Sequence, residues 1–193
     1  ISGDFSLDAT AAGGQISLNL PAVPSGSFVR LNTPSVMTKA GGGDLNFNFD
    51  GSMQFGNFTA GANVILDAAE GHTVSGGTWN SGGFNTTLET GRTLDLNGNV
   101  LTYTGGGTFA NKGTFNNNLN FGQYWVFNGT SVFENTGTLN LDGDGARIHL
   151  NGGGNGNIHN YGGTINVNSP NARIDGNGVF TTFDGSTLHD LNL

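Results

Sequence analysis

A short phrase returns several times in the second half of the chain. It reads FANKGTF over residues 109–115 and FENTGTL over residues 133–139. A third copy covers residues 158–165, and a weaker one covers residues 180–188. The opening apolar residues stand at 109, 133, 158 and 180, so the copies are 24, 25 and 22 residues apart. Such a period, with strand-forming content, is typical of a solenoid whose repeats bury their apolar faces against their neighbours.

Each copy contains Gly-Thr or Gly-x-Thr in front of an apolar residue, and the threonines stand at 73, 93, 114, 138, 164 and 187. Three short alternating segments, separated by turns of Asn and Gly, recur in each period. We therefore predict an all-β fold, a right-handed parallel β-helix (β-solenoid) with coils of about 20–26 residues. The side chains predicted to point inward are Leu94, Leu96, Phe115, Leu139, Leu141, Ile148, Leu150, Ile165 and Val167.

Residues 1–42 differ from the rest of the chain. Three of its four prolines, Pro21, Pro24 and Pro34, lie in this segment, and proline confines strands to sheet edges and strand starts. We interpret residues 1–42 as an N-terminal cap, a linker or an exchanged strand segment, and residues 43–193 as the parallel β-helix.

Composition excludes several classes of partner. The 193 residues carry a formal net charge of −8 with only six Lys and Arg, whereas phosphate backbones require clustered cations, so no nucleic acid is expected. The sequence has no apolar run of about 18 residues, so we expect no membrane insertion. It also has no cysteine, which rules out disulfides and thiolate metal sites.

Two carboxylates form the best candidate for a metal site. Asp142 and Asp144 are one residue apart in the segment DGDG, so both could point the same way and hold Ca²⁺. Asp-Gly is equally the ordinary dipeptide of a tight turn. Calcium is the one cofactor that the sequence suggests, and otherwise none is expected.

The densest aromatic segment is GQYWVF, residues 122–127. Tyr124 and Trp125 are candidates for carbohydrate binding, because exposed aromatic faces stack on sugar rings. The competing interpretation is a bulky core layer filling one wide coil, with Trp125 and Phe127 pointing inward and Tyr124 pointing outward.

Asparagine recurs at one place in the repeat. Asn111, Asn135 and Asn160 occupy equivalent positions in successive copies. Stacked asparagines can pair their amides as a ladder that satisfies buried polar groups at a turn, so we predict a structural ladder from these three.

Catalytic motifs are not found in the sequence. It contains neither a Gly-x-Ser-x-Gly segment nor a phosphate-binding loop signature. A polysaccharide lyase or hydrolase would need clustered acids, alone or with bases, facing a groove. Only Asp142, Asp144 and Arg147 offer such a cluster, and we predict that the protein is not an enzyme.

Asn-x-Gly-Thr followed by Phe, Leu or Ile, in a background of Gly, Asn and Thr, resembles the right-handed β-helix regions of large bacterial surface proteins. Autotransporter passengers and filamentous-haemagglutinin-like adhesins are the types concerned. The resemblance covers residues 60–193 and excludes residues 1–42. It implies a secreted, surface-exposed, enzymatically inert stalk that adheres, self-associates or builds matrix.

Together these observations predict a non-enzymatic structural or adhesive protein, secreted and located outside the cell or at its surface. The alternative is a β-helix that binds carbohydrate or processes polysaccharide, with surface glycans as partners. An open terminal coil must be capped or paired, so we expect a homo-oligomer or filament formed by end-to-end stacking. Residues 1–42 could cap the same chain or a neighbouring copy. The apolar residues expected at these ends are Ile16, Leu18, Leu20, Leu188, Leu191 and Leu193.

Overall fold

A computed structural model describes residues 16–17, 28–31, 36–38, 44–48, 52–151, 157–182 and 187–189. Within these ranges the chain forms 23 short strands and no helix. In chain order the strands are β1 (Ile16–Ser17), β2 (Phe28–Leu31), β3 (Val36–Thr38), β4 (Leu45–Phe47), β5 (Ser52–Phe55), β6 (Phe58–Gly61), β7 (Val64–Leu66), β8 (His72–Val74), β9 (Gly77–Asn80), β10 (Thr86–Leu88), β11 (Thr93–Asp95), β12 (Leu101–Thr104), β13 (Thr108–Asn111), β14 (Thr114–Asn117), β15 (Trp125–Asn128), β16 (Val132–Asn135), β17 (Thr138–Leu141), β18 (Arg147–Asn151), β19 (Asn157–Asn160), β20 (Thr164–Val167), β21 (Arg173–Gly176), β22 (Val179–Thr182) and β23 (Thr187–His189).

Every strand pairs in parallel with the strand three places later in the chain, so the described strands form three parallel sheets. Sheet 1 runs β1-β4-β7-β10-β13-β16-β19-β22, sheet 2 runs β2-β5-β8-β11-β14-β17-β20-β23, and sheet 3 runs β3-β6-β9-β12-β15-β18-β21. One coil contributes one strand to each sheet, and the predicted parallel β-solenoid is confirmed. Right-handed winding follows as the expectation, because connections between parallel strands of one sheet are right-handed in about 98% of cases.

The repeated phrase lies in register from coil to coil. Phe109 is the direct partner of Phe133, and Phe133 is the partner of Ile158, as the sequence predicted. Most register partners are 21–26 residues apart, but Leu45 and Val64 are separated by 19 residues, and Ile16 and Leu45 by 29. Coil length therefore varies in the turns while the strands keep their register.

All nine side chains predicted to point inward are buried. Strands β14, β17 and β20 alternate half-buried and buried residues, as the period of two in a strand requires. The widest part of the core is aromatic. The ring of Trp125 stacks on that of Phe115 at 4.0 Å between centroids and 12° between planes, and its edge meets Phe133 at 5.0 Å.

The recurring Gly-Thr pair has a steric cause. A Cβ placed on Gly137 would collide with the carbonyl oxygen of Gly113, and one placed on Gly113 would collide with that of Arg92. The same carbonyls accept hydrogen bonds of 2.8 Å from Thr138 N–H and Thr114 N–H. Glycine is needed here because the backbones of successive coils approach too closely for a side chain.

The N-terminal segment contributes to the same sheets. Strands β1, β2 and β3 lie within residues 1–42 and pair with β4, β5 and β6 of their own chain. The sheets therefore continue across the boundary predicted at residue 42, and the division into two parts stays a prediction. The three prolines of this segment lie outside the described residues.

One histidine is part of the core. His72, on β8, is 1% exposed and stacks on Phe55. Its Nε2 accepts a 3.1 Å hydrogen bond from Ala68 N–H, so its Nδ1 carries the proton and donates to Thr93 O at 3.2 Å. Burial lowers the pKa of His72 to about 4, against the smaller raising effects of Thr93 O and Asp67.

This histidine predicts an acid-sensitive stability. Because its pKa is lower in the folded state than in the unfolded state, its contribution is complete above about pH 6.5 and is lost as the pH falls towards 4. Between pH 7 and pH 4.5 the loss is about 2 kcal/mol. His72→Gln keeps a donor and an acceptor without titrating, so the variant should lose about 2 kcal/mol less than the wild type over this interval.

Chemical denaturation of both proteins at the two pH values measures the difference, and carboxylate titration cancels because both chains share it. Equal losses in wild type and variant would contradict the role assigned to His72.

Candidate functional site

A shallow groove lies where three successive coils enter sheet 3. Its volume is about 90 Å³. The turns before β15, β18 and β21 stack on one another, and each contributes to the walls. The lining residues are Phe121, Gly122, Gln123, Tyr124, Gly145, Arg147, Asn171 and Arg173.

A shared carboxylate organises the charges beside this groove. Arg147 and Arg173 are direct register partners, and so are His149 and Asp175. The Asp175 carboxylate accepts 2.9 Å from Arg173 Nε and 2.8 Å from His149 Nδ1, and it also contacts Arg147 Nε. The Arg147 guanidinium in turn lies over the Tyr124 ring, 4.3 Å from its centroid.

Asp175 stays ionised in this setting. Partial burial would by itself raise its pKa, but hydrogen bonds from Arg147 and His149 outweigh burial and hold the pKa of Asp175 below its usual value. One negative charge therefore serves two guanidinium groups, and His149 adds a further donor.

The structure separates the two aromatic residues proposed to bind carbohydrate. Tyr124 is half-buried and lines the groove. Trp125 is fully buried between Phe115 and Phe133. Assigning Trp125 to carbohydrate binding is wrong, because alternation along β15 turns its indole into the core, where no sugar ring reaches it.

The two carboxylates proposed to hold calcium have amide partners instead. Asp142 accepts a hydrogen bond from Asn168 Nδ2, and Asp144 accepts one of 3.1 Å from Asn171 Nδ2. Both asparagines lie one coil further along the chain. Among the described residues no group of three or more His, Asp or Glu is placed to hold a metal ion.

Pairs of this kind recur on the surface and were not foreseen from the sequence. Asparagine amides of neighbouring coils also donate to Asp44, Asp67 and Asp95, at 3.0, 2.6 and 2.6 Å. Acids and asparagines 19 to 27 residues apart become neighbours through the coil spacing. Neutral donors thus satisfy carboxylates in a chain that has few cations.

The structure brings Asn111, Asn135 and Asn160 together in a buried ladder. Asn111 Nδ2 donates to Asn135 Oδ1, and Asn135 Nδ2 donates to Asn160 Oδ1, both at 2.7 Å. Asn160 Nδ2 ends the chain at Gly163 O, 2.9 Å away. The preceding position of the column is Leu88, and Asn111 Oδ1 accepts no hydrogen bond from a described residue.

A second amide ladder runs along the outside of sheet 2. Asn140 Nδ2 donates to Asn116 Oδ1 at 2.9 Å, and Asn166 Nδ2 donates to Asn140 Oδ1 at 2.8 Å. These side chains are half-buried, so water can replace their partners. The two ladders therefore compare the same interaction in dry and wet surroundings.

The residues expected at the ends are partly described. Ile16 is the register partner of Leu45, and Leu188 is the partner of Ile165, both within the same chain. The remaining four, Leu18, Leu20, Leu191 and Leu193, lie outside the described residues.

Comparison with known proteins leaves the assignment to the geometry. No protein-family model, no curated protein and no solved structure matches the chain. Among the described residues no helix is long and apolar enough to cross a membrane.

The two ladders predict unequal costs for the same substitution. Asn135→Ala leaves the amide of Asn111 and the oxygen of Asn160 without their partner inside the core, so it should lower the free energy of unfolding by about 2–4 kcal/mol. Asn140→Ala exposes its partners to water and should cost less than about 1 kcal/mol. Denaturant unfolding of both variants checks the difference, and similar costs would show that the buried ladder contributes no more than the exposed one.

Proposed function

We propose that this protein is a non-enzymatic extracellular β-solenoid with a structural and adhesive role, whose copies associate end to end at a cell surface or in a matrix. The autotransporter and filamentous-haemagglutinin-like proteins that the sequence resembles are the type that we have in mind. The observation that carries the proposal is the continuity of three in-register parallel sheets up to strands at both ends.

The ends of the stack supply the association surface. In the described part of the chain, β21, β22 and β23 are the last strands of their sheets, and β1, β2 and β3 are the first. A terminal strand of a parallel sheet bonds to its neighbour on one side only, and its other side offers N–H and C=O groups to a further strand. On β22, Val179 is 54% exposed.

Association through these two ends is heterologous, since the first coil of one copy meets the last coil of the next. Contacts of this kind do not close on themselves and give open filaments. A side-on dimer would leave both ends free. The proposal therefore predicts growth along the solenoid axis, with each coil adding about 4.8 Å.

Location outside the cell is proposed on the chemistry of the chain. It has no cysteine to be oxidised and carries a net charge of −8. Its surface carboxylates are held by asparagine amides, and its core is a stack of aromatic and aliphatic side chains. These features suit a protein that keeps its fold without a reducing environment or a bound cofactor.

A charge placed on the terminal strand should block association. Val179→Lys puts an ammonium group at the edge of β22, where a second copy would stack, and desolvating it opposes pairing. Val100→Lys is the matched control, because Val100 is exposed on the turn before β12 in the middle of the stack. In sedimentation velocity and electron microscopy, Val179→Lys should lower the oligomer fraction at least tenfold, and Val100→Lys should leave it unchanged.

A wild-type protein that stays monomeric at millimolar concentration would overturn the proposed self-association, and so would equal inhibition by both lysines. The non-enzymatic part is tested separately. Turnover of an acidic polysaccharide that Asp144→Ala abolishes would contradict it.

A further inference from the structure

We propose that the groove beside sheet 3 binds a carboxylate-bearing sugar unit of an acidic polysaccharide. The site lies on the side of the solenoid, in the turns before β15, β18 and β21. It is distinct from the terminal strands used for end-to-end association. The inference therefore goes beyond the proposed assembly, and either can fail without the other.

Donors exceed acceptors at the floor of the groove. The guanidinium groups of Arg147 and Arg173 together carry ten N–H donors, while the Asp175 carboxylate has about four acceptor positions. His149 occupies one of these positions through its Nδ1. A ligand that brings oxygen acceptors, and above all a carboxylate, completes this arrangement.

The placement of the two arginines costs stability. Like charges directly opposite each other in adjacent strands repel, and the register sets Arg147 against Arg173. The Arg173 side chain is 54% exposed, so its guanidinium reaches solvent at the groove. Two of the six basic residues of an acidic protein are thus kept side by side, where an anionic ligand would relieve their repulsion.

An exposed aromatic ring adjoins these donors. Phe121 is 78% exposed, an unfavourable position for a large apolar side chain in water. The C–H face of a pyranose ring can cover such a ring while the carboxylate of the same sugar reaches the arginines. Tyr124 already has the Arg147 guanidinium over its ring, and this contact fixes the neighbouring wall.

The turn that carries Phe121 is rigid. Asn120 N–H donates to Gln123 Oε1 at 2.9 Å, and Gln123 N–H donates to Asn120 O at 3.0 Å. Gly145 of the next coil approaches the Phe121 backbone so closely that a Cβ there would collide with it. A wall held in this way needs little ordering on binding, which favours affinity.

The nearby acids do not reverse the preference for an anion. Asp175 is shared by both arginines and His149, and Asp144 is bound by Asn171 Nδ2 at 3.1 Å. The volume of about 90 Å³ equals about three water molecules. It accommodates a carboxylate and one edge of a sugar ring, with the rest of the polysaccharide lying across the surface.

Calorimetric titration with defined tetrasaccharides tests the site. The probes are tetragalacturonate, tetramannuronate and the methyl ester of tetragalacturonate, which keeps the ring and removes the charge. At least one of the two acidic tetrasaccharides should bind, tetragalacturonate more tightly than its ester if it is the one recognised, and 0.5 M NaCl should weaken binding because partly exposed charges are screened.

Two variants and two matched controls locate the binding. Arg173→Gln should weaken it about tenfold, as expected for the loss of a charge-assisted hydrogen bond, and Phe121→Ser should weaken it several-fold. Lys112→Gln removes an exposed cation from the turn between β13 and β14, and Phe84→Ser removes an exposed ring from the turn between β9 and β10. Both controls should bind as the wild type does.

The proposal is overturned if neither acidic tetrasaccharide binds the wild type. It is equally overturned if the methyl ester binds as well as the acid, or if Lys112→Gln weakens binding as much as Arg173→Gln. Circular dichroism of each variant verifies the fold, and the exposure of Phe121 and Arg173 makes both substitutions compatible with it.

Discussion

Parallel pairing of each strand with its equivalent in the next coil is the interaction on which the molecule depends. The pairing places every residue directly beside the residue about one repeat away, at the strand spacing of about 4.8 Å. Phe109 lies beside Phe133 and Asn111 beside Asn135 for this reason alone. A shift of one residue would turn the core side chains outward, so the apolar columns and the backbone ladder enforce the same register.

The same stacking explains how an acidic chain with six basic residues keeps its carboxylates satisfied. Asparagine one coil away reaches the carboxylate oxygens of Asp44, Asp95 and Asp144. A neutral amide donates without bringing the long, mobile stem of a lysine, and the aligned turns make the geometry repeat. The high asparagine content therefore has a structural use on the surface as well as in the buried ladder.

The repeat could be predicted from the sequence because its spacing is carried by residues with one evident role each. The apolar residues at 109, 133 and 158 mark the register, and the glycines before the threonines mark the places where coils touch. The inward set followed from alternation. Trp125 was left open between core and surface, and only the direction of β15 decides it.

The groove could not be predicted in the same way. Arg147, Arg173 and Asp175 stand up to 28 residues apart, and the pairs that matter are set by the register of β18 and β21. Their coil-to-coil distance depends on turn lengths, which range from the 19-residue to the 29-residue spacing in this chain. The pairing of Asp142 and Asp144 with asparagines was hidden for the same reason.

Distances between spin labels on one outer column test the in-register stack most directly. The chain has no cysteine, so two substitutions give unique labels on the outward positions of sheet 1. Ile65, Glu134, His159 and Thr181 lie in one column, with Glu134, His159 and Thr181 three, four and five strands from Ile65. Pairs of Ile65→Cys with Glu134→Cys, His159→Cys or Thr181→Cys should give separations that increase by about 4.8 Å per coil, near 14, 19 and 24 Å. Separations that do not increase in equal steps would contradict the account.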